Sequence, residues 1–292
     1  MVRLHRSFTV VVAAAATLSC QGGVESPSSA NSVDGVAIRY EVHGAGEPSL
    51  VLVHGWSCDR TYWDAQIAHF DDSYRVVTVD LAGHGESGLG RESWTIAAFG
   101  QDVVAVVEEL GLDRAVLVGH SVGGPVVLEA ARRLGDRVIG VVGADTFGDV
   151  SQTYTQAQVD RMIEPFRTDF AAAMRNFVEA VFVAASDSAL VEWVIEDMSA
   201  APPEIAIAAS LGSVDWWHDE LADALRDVRA PIRLINSDMN PTYVEAGRRY
   251  ASSFDARVMT GVGHFVMMED PETFNRLLEE LVQQSEAFDR AD

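Results

Sequence analysis

Short, mostly apolar runs recur along the chain and alternate with longer segments in which apolar residues follow a helical period. The runs lie at residues 50–53, 75–79, 115–118, 138–142, 232–235 and 257–259. Strands that are apolar on both faces are typical of a parallel sheet covered by helices, so each run predicts a buried strand. An Asp34-Gly35 turn within residues 33–40 predicts an opening hairpin.

Three segments have the apolar spacing of amphipathic helices, at residues 95–110, 122–134 and 271–284. Their alternation with the strands predicts an α/β fold with a doubly wound, mostly parallel sheet. Residues 149–225 interrupt the alternation, because this stretch is helical in pattern and rich in Phe, Trp and Met. We interpret it as a helical cap inserted into a core formed by residues 33–148 and 226–292.

The N-terminus has the pattern of an export signal. Residues 1–19 combine two arginines with an apolar run too short to span a bilayer. Cys20 follows and is similar to the lipidated cysteine of a bacterial lipobox, although Thr17 stands where that motif usually has Leu. Two interpretations stay open: a lipoprotein of the periplasm or cell envelope, bound to the membrane only through lipidated Cys20, or an ordinary cleaved signal. Residues 20–32 are predicted to form a linker. No disulfide between Cys20 and Cys58 is expected.

Composition excludes several kinds of chemistry. The 292 residues include 21 basic and 44 acidic side chains, a formal charge of −23, and every basic residue is arginine. Without lysine there is no Schiff base, no pyridoxal phosphate anchor and no phosphate-loop lysine. An acidic chain without a basic cluster does not predict a nucleic-acid partner. No His or Cys spacing typical of a metal site occurs, and neither a metal nor a cofactor is expected.

The sequence Gly-His-Ser-Val-Gly at residues 119–123 lies between a predicted strand and a predicted helix. In this context the pattern is typical of a nucleophile elbow, a turn too tight for a Cβ on either side of the serine. It predicts that the Ser121 hydroxyl is exposed at the end of the strand. Ser121 is therefore the candidate nucleophile.

A serine nucleophile needs a base and donors for the oxyanion that forms on the substrate. His264 lies between the last predicted strand and the last predicted helix, where it can take the serine proton during attack. Two backbone N–H groups are candidates for the oxyanion hole, that of Trp56 after the first apolar run and that of Val122 after the nucleophile. We interpret His54, His84 and His120 as structural residues of the surrounding loops.

Four motifs resemble the α/β-hydrolase superfamily and follow one another in its order: His-Gly-Trp at 54–56, Asp-Leu-Ala-Gly-His-Gly-Glu-Ser at 80–87, Gly-His-Ser-Val-Gly-Gly at 119–124 and Gly-His-Phe at 263–265. The resemblance extends over residues 33–284. The first two motifs look like those of the esterase, haloperoxidase-like and C–C hydrolase branches with a helical cap. A serine at the elbow argues against the epoxide hydrolase and haloalkane dehalogenase branches, whose nucleophile is aspartate.

The acid of the catalytic triad has two candidates. In most relatives it follows the second-last strand, but Asn240 stands there, and an amide cannot stabilise an imidazolium by charge. Asp238 lies two residues away. Asp145 ends an earlier predicted strand, at the position that holds the acid in the haloalkane dehalogenase branch. We favour Asp145 from its place at the strand end, with a helix cap or a cap-hinge carboxylate as its other interpretation.

These observations predict a serine hydrolase that cleaves a carboxylic ester of a mostly apolar small molecule through an acyl-enzyme. The alternatives are a C–C hydrolase or perhydrolase with the same triad, and a non-hydrolysing binding protein on the same fold. The predicted cap holds 14 acidic and 3 basic side chains, and such a charge disfavours dianionic substrates unless it is only a solvated surface. Most of its aromatic residues are expected in the cap core and a few at the pocket: Phe166, Phe170, Phe177, Phe182, Trp193, Trp216 and Trp217.

Overall fold

A computed structural model describes residues 28–290, and within them the strands form one eight-stranded sheet. The strands are β1 Ser28–Asn31, β2 Ala37–His43, β3 Ser49–Val53, β4 Arg75–Val79, β5 Ala115–His120, β6 Val138–Ala144, β7 Ile232–Ser237 and β8 Phe254–Met259. Their spatial order is β1-β2-β4-β3-β5-β6-β7-β8. The six predicted apolar runs lie in β3 to β8.

The sheet is parallel throughout β4-β3-β5-β6-β7-β8, and β1 and β2 are antiparallel strands at one edge. This topology confirms the predicted α/β-hydrolase fold with a mostly parallel sheet. Because parallel strands end at the same edge, the loops after β3, β5, β6, β7 and β8 gather there. That edge is where the candidate site residues are expected.

Helices cover both faces of the sheet. They are α1 Asp64–Phe70, α2 Ile96–Glu109, α3 Gly123–Leu134, α4 Gln156–Thr168, α5 Phe170–Val181, α6 Ser188–Ser199, α7 Pro203–Asp219, α8 Leu221–Asp227, α9 Val244–Gly247, α10 Val266–Glu269 and α11 Pro271–Asp289. Successive side chains of a strand point to opposite faces. In β5, Leu117 therefore packs with the apolar faces of α2 and α3, while Val118 packs with α1 and α11.

Strand β1 corrects the predicted linker over residues 20–32. Its four residues pair with β2, so the sheet begins inside that segment and ahead of the predicted core boundary. Ala30 is the one buried residue of β1, and an edge strand is held mainly by backbone hydrogen bonds. The strand can therefore have a polar sequence. Ser32 just beyond it donates a 2.6 Å hydrogen bond to buried Asp102 and ties the edge to α2.

Helices α4 to α7 follow one another between β6 and β7, within the segment interpreted as a cap, and are called the cap below. The two ends of this insertion meet. The Phe147 ring stacks on Trp217 near the end of α7 with centroids 5.9 Å apart. The Trp217 indole also donates to the Gln152 carbonyl at 3.0 Å, and the Tyr154 amide donates to His218 Nε2 at 2.9 Å.

The predicted signal at residues 1–19, Cys20 and the first part of the linker lie outside the described residues, and their assignment stays a prediction. Within residues 28–290, no helix combines the length and apolar character needed to cross a membrane. Cys58 is buried and is not part of a disulfide in this part of the chain.

Candidate active site

Ser121 lies at a sharp turn between β5 and α3, at the edge where the parallel strands end. Its backbone has φ of 52°, a left-handed conformation that is rare for a residue with a Cβ. The turn is tightly closed, since a Cβ built on Gly119 would lie 2.1 Å from the Gly123 carbonyl oxygen. A Cβ on Gly123 would lie 2.6 Å from the Val53 carbonyl oxygen. The glycines are therefore required for the chain to present Ser121.

His264 follows β8 and faces a carboxylate from another strand. Its Nδ1 lies 2.6 Å from Asp145 Oδ2, after β6. A carboxylate can only accept, so Nδ1 carries the proton, and in the neutral ring Nε2 is then free to accept one. Two further contacts hold the His264 backbone: its amide donates to the Val181 carbonyl of the cap at 2.8 Å, and its carbonyl accepts from His120 Nε2 at 3.0 Å.

Asp145 is fixed from its other side by β7. The Ser237 amide donates to Asp145 Oδ1 at 2.7 Å, while the Asp145 amide donates to the Ile235 carbonyl at 2.9 Å. Burial alone would raise the pKa of Asp145, but the hydrogen bonds and charge of His264 together with Ser237 hold it below its ordinary value. The carboxylate is therefore ionised at neutral pH and can orient and stabilise a protonated His264.

The alternative acid, Asp238, has a different partner. It is exposed, and its Oδ1 accepts a 3.1 Å hydrogen bond from the Gly261 amide in the loop after β8. Asn240, at the usual acid position of the family, is also exposed. The structure thus brings Asp145 to His264 and leaves Asp238 on the surface of a neighbouring turn.

Ser121 and His264 line one narrow cleft, together with Trp56, His120 and Phe177. Among the described residues, no hydrogen bond joins the Ser121 hydroxyl to His264. In proteins without bound substrate, such contacts are often long and tighten only when substrate binds. The candidate nucleophile and base thus line the same cleft.

Two amides are available for an oxyanion. The Trp56 and Val122 N–H groups donate to no protein group in the part of the chain that the structure describes. The loop after β3 approaches the elbow closely, because a Cβ on Gly55 would lie 3.3 Å from the Ser121 Cβ. Both amides thus lie close to the candidate nucleophile, Trp56 in the loop that approaches the elbow and Val122 directly after Ser121.

Three buried histidines support these loops in their neutral form. Burial lowers the pKa of His54 to about 4, and that of His84 and of His120 to about 3. His54 Nε2 accepts from the Leu81 amide at 3.0 Å and its Nδ1 donates to the Gly55 carbonyl at 2.8 Å, which fixes its tautomer. Among residues 28–290, no three His, Cys, Asp or Glu side chains are grouped so as to hold a metal ion.

A cavity of about 440 Å³ opens above Ser121 beneath the cap. Three of the cap aromatics line it, namely Phe166, Phe177 and Trp217. Phe182 and Trp216 are instead buried in the protein core, and Trp193 is 39% exposed. The wall is mostly apolar, and α7 contributes two hydroxyls to it, those of Ser210 and Ser213. Such a cavity suits a small molecule with a polar group at one end.

Sequence comparison identifies the family of the protein. Residues 50–277 match the profile of the alpha/beta hydrolase family. The chain belongs to the alpha/beta hydrolase family. Within this family, a thermophilic esterase from Thermogutta terrifontis has a similar structure, with a TM-score of 0.76 and 25% sequence identity, over 89% of this chain and 99% of that one. The fold and these relatives make the protein a hydrolase.

Two curated relatives of this hydrolase differ in how much they share with it. The 3-oxoadipate enol-lactonase 2 of Acinetobacter baylyi is 25% identical over 257 residues, which cover 85% of this chain and 94% of that protein. The acetyltransferase component of the acetoin cleaving system of Cupriavidus necator is 35% identical over 140 residues. That match covers 46% of this chain and only 37% of the larger protein.

The sequence did not identify one residue that positions the candidate acid Asp145. Asn236 in β7 accepts from the Thr146 amide at 3.1 Å and donates to the Thr146 carbonyl at 3.0 Å. It therefore holds the loop that carries Asp145. A buried polar residue directly after the apolar run 232–235, on the strand that neighbours the one before Asp145, is the signal that could have identified it.

Proposed function

We propose that the protein is a serine esterase that hydrolyses carboxylic esters of mostly apolar small molecules through an acyl-enzyme. The observation that carries the proposal is the 2.6 Å contact between His264 Nδ1 and Asp145, in the same site as a strained Ser121 at the elbow. A hydroxyl nucleophile, a base and an orienting carboxylate are the three groups that acyl transfer requires.

In the proposed reaction, Ser121 Oγ attacks the ester carbonyl while His264 Nε2 takes the hydroxyl proton. The negative oxygen of the tetrahedral intermediate accepts hydrogen bonds from the Trp56 and Val122 amides. The intermediate expels the alcohol, which receives the proton from His264. A water molecule then attacks the acyl group with His264 again as base, and the released acid leaves free Ser121.

The substrate class follows from the cavity and the charge around it. An apolar wall of aromatic side chains favours apolar acyl or alcohol groups, and about 440 Å³ is the volume of a small-molecule site. The cap segment 149–225, with 14 acidic against 3 basic side chains, disfavours substrates that carry phosphate or several carboxylates. Relatives named as an esterase and an enol-lactonase are consistent with ester cleavage.

The alternative of a non-hydrolysing binding protein loses its main support. That interpretation depended on Asn240 at the usual acid position, but His264 has a carboxylate partner in Asp145. C–C hydrolysis and perhydrolysis use the same three groups, so the nature of the substrate separates these reactions from ester hydrolysis.

A fluorophosphonate probe tests the proposed nucleophile. We expect a single covalent adduct, located at Ser121 by mass spectrometry, and its loss in Ser121→Ala, while the exposed control Ser252→Ala keeps it. A folded protein that stays unlabelled, or that is labelled elsewhere, contradicts the proposal. Turnover of p-nitrophenyl esters of increasing acyl length then defines the preferred substrate, with short to medium chains expected to fit the cavity.

A further inference from the structure

A polar connection runs through the apolar cluster between the cap and the loop after β3. The Tyr62 hydroxyl donates a 2.8 Å hydrogen bond to Asp197 Oδ2 on α6. The Cys58 thiol lies in the same buried cluster as Tyr62 and donates to the Trp56 carbonyl at 3.3 Å. Tyr62 is 1% exposed and Cys58 is 3% exposed. Buried polar groups at such positions cost free energy unless they are paired, so their pairing here needs a reason.

The turn at the end of this connection carries one of the proposed oxyanion donors. Trp56 and Ser57 form its centre, Ser57 has φ of 56°, and the Cys58 amide donates a long 3.4 Å hydrogen bond to the Gly55 carbonyl. A turn with a strained residue and a weak closing bond does not hold its own orientation. The thiol contact to the Trp56 carbonyl supplies a second constraint on the peptide that follows the donor.

The cap contacts Trp56 at a second point. The Trp56 indole Nε1 donates to the Ala206 carbonyl of α7 at 2.7 Å. Two cap helices therefore reach the same residue, α7 directly at its side chain and α6 through Tyr62 and Cys58 at its backbone. The orientation of the Trp56 amide depends on both.

We propose that Asp197, Tyr62 and Cys58 form a positioning relay through which the closed cap fixes the Trp56 amide toward the oxyanion. The relay contacts no substrate and acts only through Trp56. This inference rests on the proposed esterase function, because it assigns the Trp56 amide to the oxyanion hole.

The charge of Asp197 belongs to the relay. Burial, together with the charges of Asp59 and Asp80, raises the pKa of Asp197 to about 6 against the opposing effect of the Tyr62 hydrogen bond. A cleft of about 330 Å³, separate from the substrate cavity, is lined by Asp59, His84 and Asp197. Protonation removes the charged acceptor, and a hydrogen bond to a neutral acceptor is weaker.

Tyr62→Phe removes one hydroxyl from the relay and keeps the ring. Because oxyanion donors act mainly in the transition state, we expect kcat for a p-nitrophenyl ester to fall about tenfold with KM nearly unchanged. Affinity for a trifluoromethyl ketone, whose serine adduct carries an oxyanion, should fall by a similar factor. The control Tyr74→Phe, a half-buried tyrosine near α1, should keep wild-type values. Unchanged kcat, or a rise in KM alone, overturns the relay.

Hydrogen–deuterium exchange separates this inference from the proposed function. In Tyr62→Phe, amides of residues 55–59 should exchange faster than in the wild type, while the helices of the cap exchange at wild-type rates. If the wild type neither hydrolyses esters nor binds the fluorophosphonate, the proposed function fails, and the exchange result still decides whether the relay orders the turn. Unchanged exchange at residues 55–59 overturns it.

Asp197→Asn keeps a hydrogen-bond acceptor for Tyr62 but cannot titrate. At pH 8 its kcat should fall several-fold, though less than in Tyr62→Phe, because a hydrogen bond to a neutral amide is weaker than one to a carboxylate. Below pH 6, where Asp197 of the wild type is itself protonated, the ratio of wild-type to variant kcat should fall toward one. The exposed cap variant Asp160→Asn should keep the wild-type profile. A ratio of wild-type to variant kcat that stays the same between pH 8 and pH 5 contradicts the role of Asp197.

Discussion

At the scale of single residues, backbone strain is concentrated around the active site. Among the described residues, four non-glycine residues have a positive φ, between 46° and 56°: Ser57, Ser121, Asp145 and Phe147. Each such conformation costs on the order of 1–3 kcal/mol and persists only where surrounding contacts hold it. The first three lie at the proposed oxyanion turn, nucleophile and acid, and Phe147 closes the base of the cap. We infer that the contacts that hold these conformations also orient the proposed catalytic groups.

Removing the charge of Asp145 tests its role directly. Asp145→Asn keeps the size of the side chain but favours the wrong tautomer of His264 and cannot stabilise its protonated form. We expect kcat for a p-nitrophenyl ester to fall by about 10³- to 10⁴-fold. Steady-state kinetics at pH 8 measure the change.

Asp238→Asn is the matched control for this variant. Asp238 is exposed and accepts a hydrogen bond from the Gly261 amide. We therefore expect Asp238→Asn to keep kcat within about twofold of the wild type. Large loss in Asp238→Asn, with Asp145→Asn active, would reassign the acid of the triad.

At the scale of elements, the predictable parts of the fold are those with a strong local pattern. The helix predicted over residues 95–110 is observed as α2, and its predicted first residue, Thr95, caps it by accepting from the Ala98 amide. Strand β1 and helix α1 were not predicted. Each is short, β1 is mostly polar and α1 has only seven residues, and both are held by pairing or packing with distant residues.

The same limit applies to the site. Ser121 and His264 could be predicted because a motif or a position between two elements defines each of them. The choice between Asp145 and Asp238 could not be settled by sequence, because it depends on which strand end faces His264 across the sheet. Tyr62 and Asp197 are 135 residues apart, and no local pattern connects them.

The nucleophile elbow is an element whose geometry a single methyl group can disturb. Gly119→Ala would place a Cβ 2.1 Å from the Gly123 carbonyl oxygen, which forces β5 and α3 apart. We expect the free energy of unfolding to fall by about 2–3 kcal/mol, measured by urea denaturation. Fluorophosphonate labelling of the remaining folded protein should slow by at least an order of magnitude.

Gly90→Ala provides the comparison for Gly119→Ala. A Cβ on Gly90 has no neighbour within 4 Å, and its φ lies outside the left-handed region. Its stability should therefore stay within about 0.5 kcal/mol of the wild type. Equal stability of the two variants would show that the elbow tolerates a Cβ.

At the scale of the whole molecule, buried neutral histidines set a limit on acid stability. The pKa of His84 falls from its ordinary 6.5 to about 3 on burial, so below pH 6.5 the unfolded chain binds a proton that the folded one does not. The stability that comes from burying neutral His84 is fully present above pH 6.5 and is lost as the pH falls toward 3. As the pH falls through that window, each such histidine lowers the free energy of unfolding by about 1.4 kcal/mol per pH unit.

His84→Gln should remove the proton that His84 contributes to the difference in proton binding between the unfolded and the folded protein. Between pH 6 and 4, the free energy of unfolding should fall less steeply than in the wild type, by about 1.4 kcal/mol per pH unit, whatever its absolute value at pH 7. Asp197, with its raised pKa, contributes with the opposite sign and is common to both proteins. His69→Gln, at an exposed position, should keep the wild-type slope. Equal slopes for His84→Gln and wild type contradict this account.

The contacts that close the base of the cap also make it an exchangeable module. Because Phe147 stacks on Trp217, the insertion leaves and rejoins the core at neighbouring points. A different helical segment could be grafted between those points, and substrate preference could then change without altering the sheet. Asp145 limits such grafts at the joint, since it stands two residues before it, and a grafted cap would also have to replace the Val181 contact to His264 and the Ala206 contact to Trp56. Recombination among caps must therefore begin after Phe147 if catalysis is to be retained.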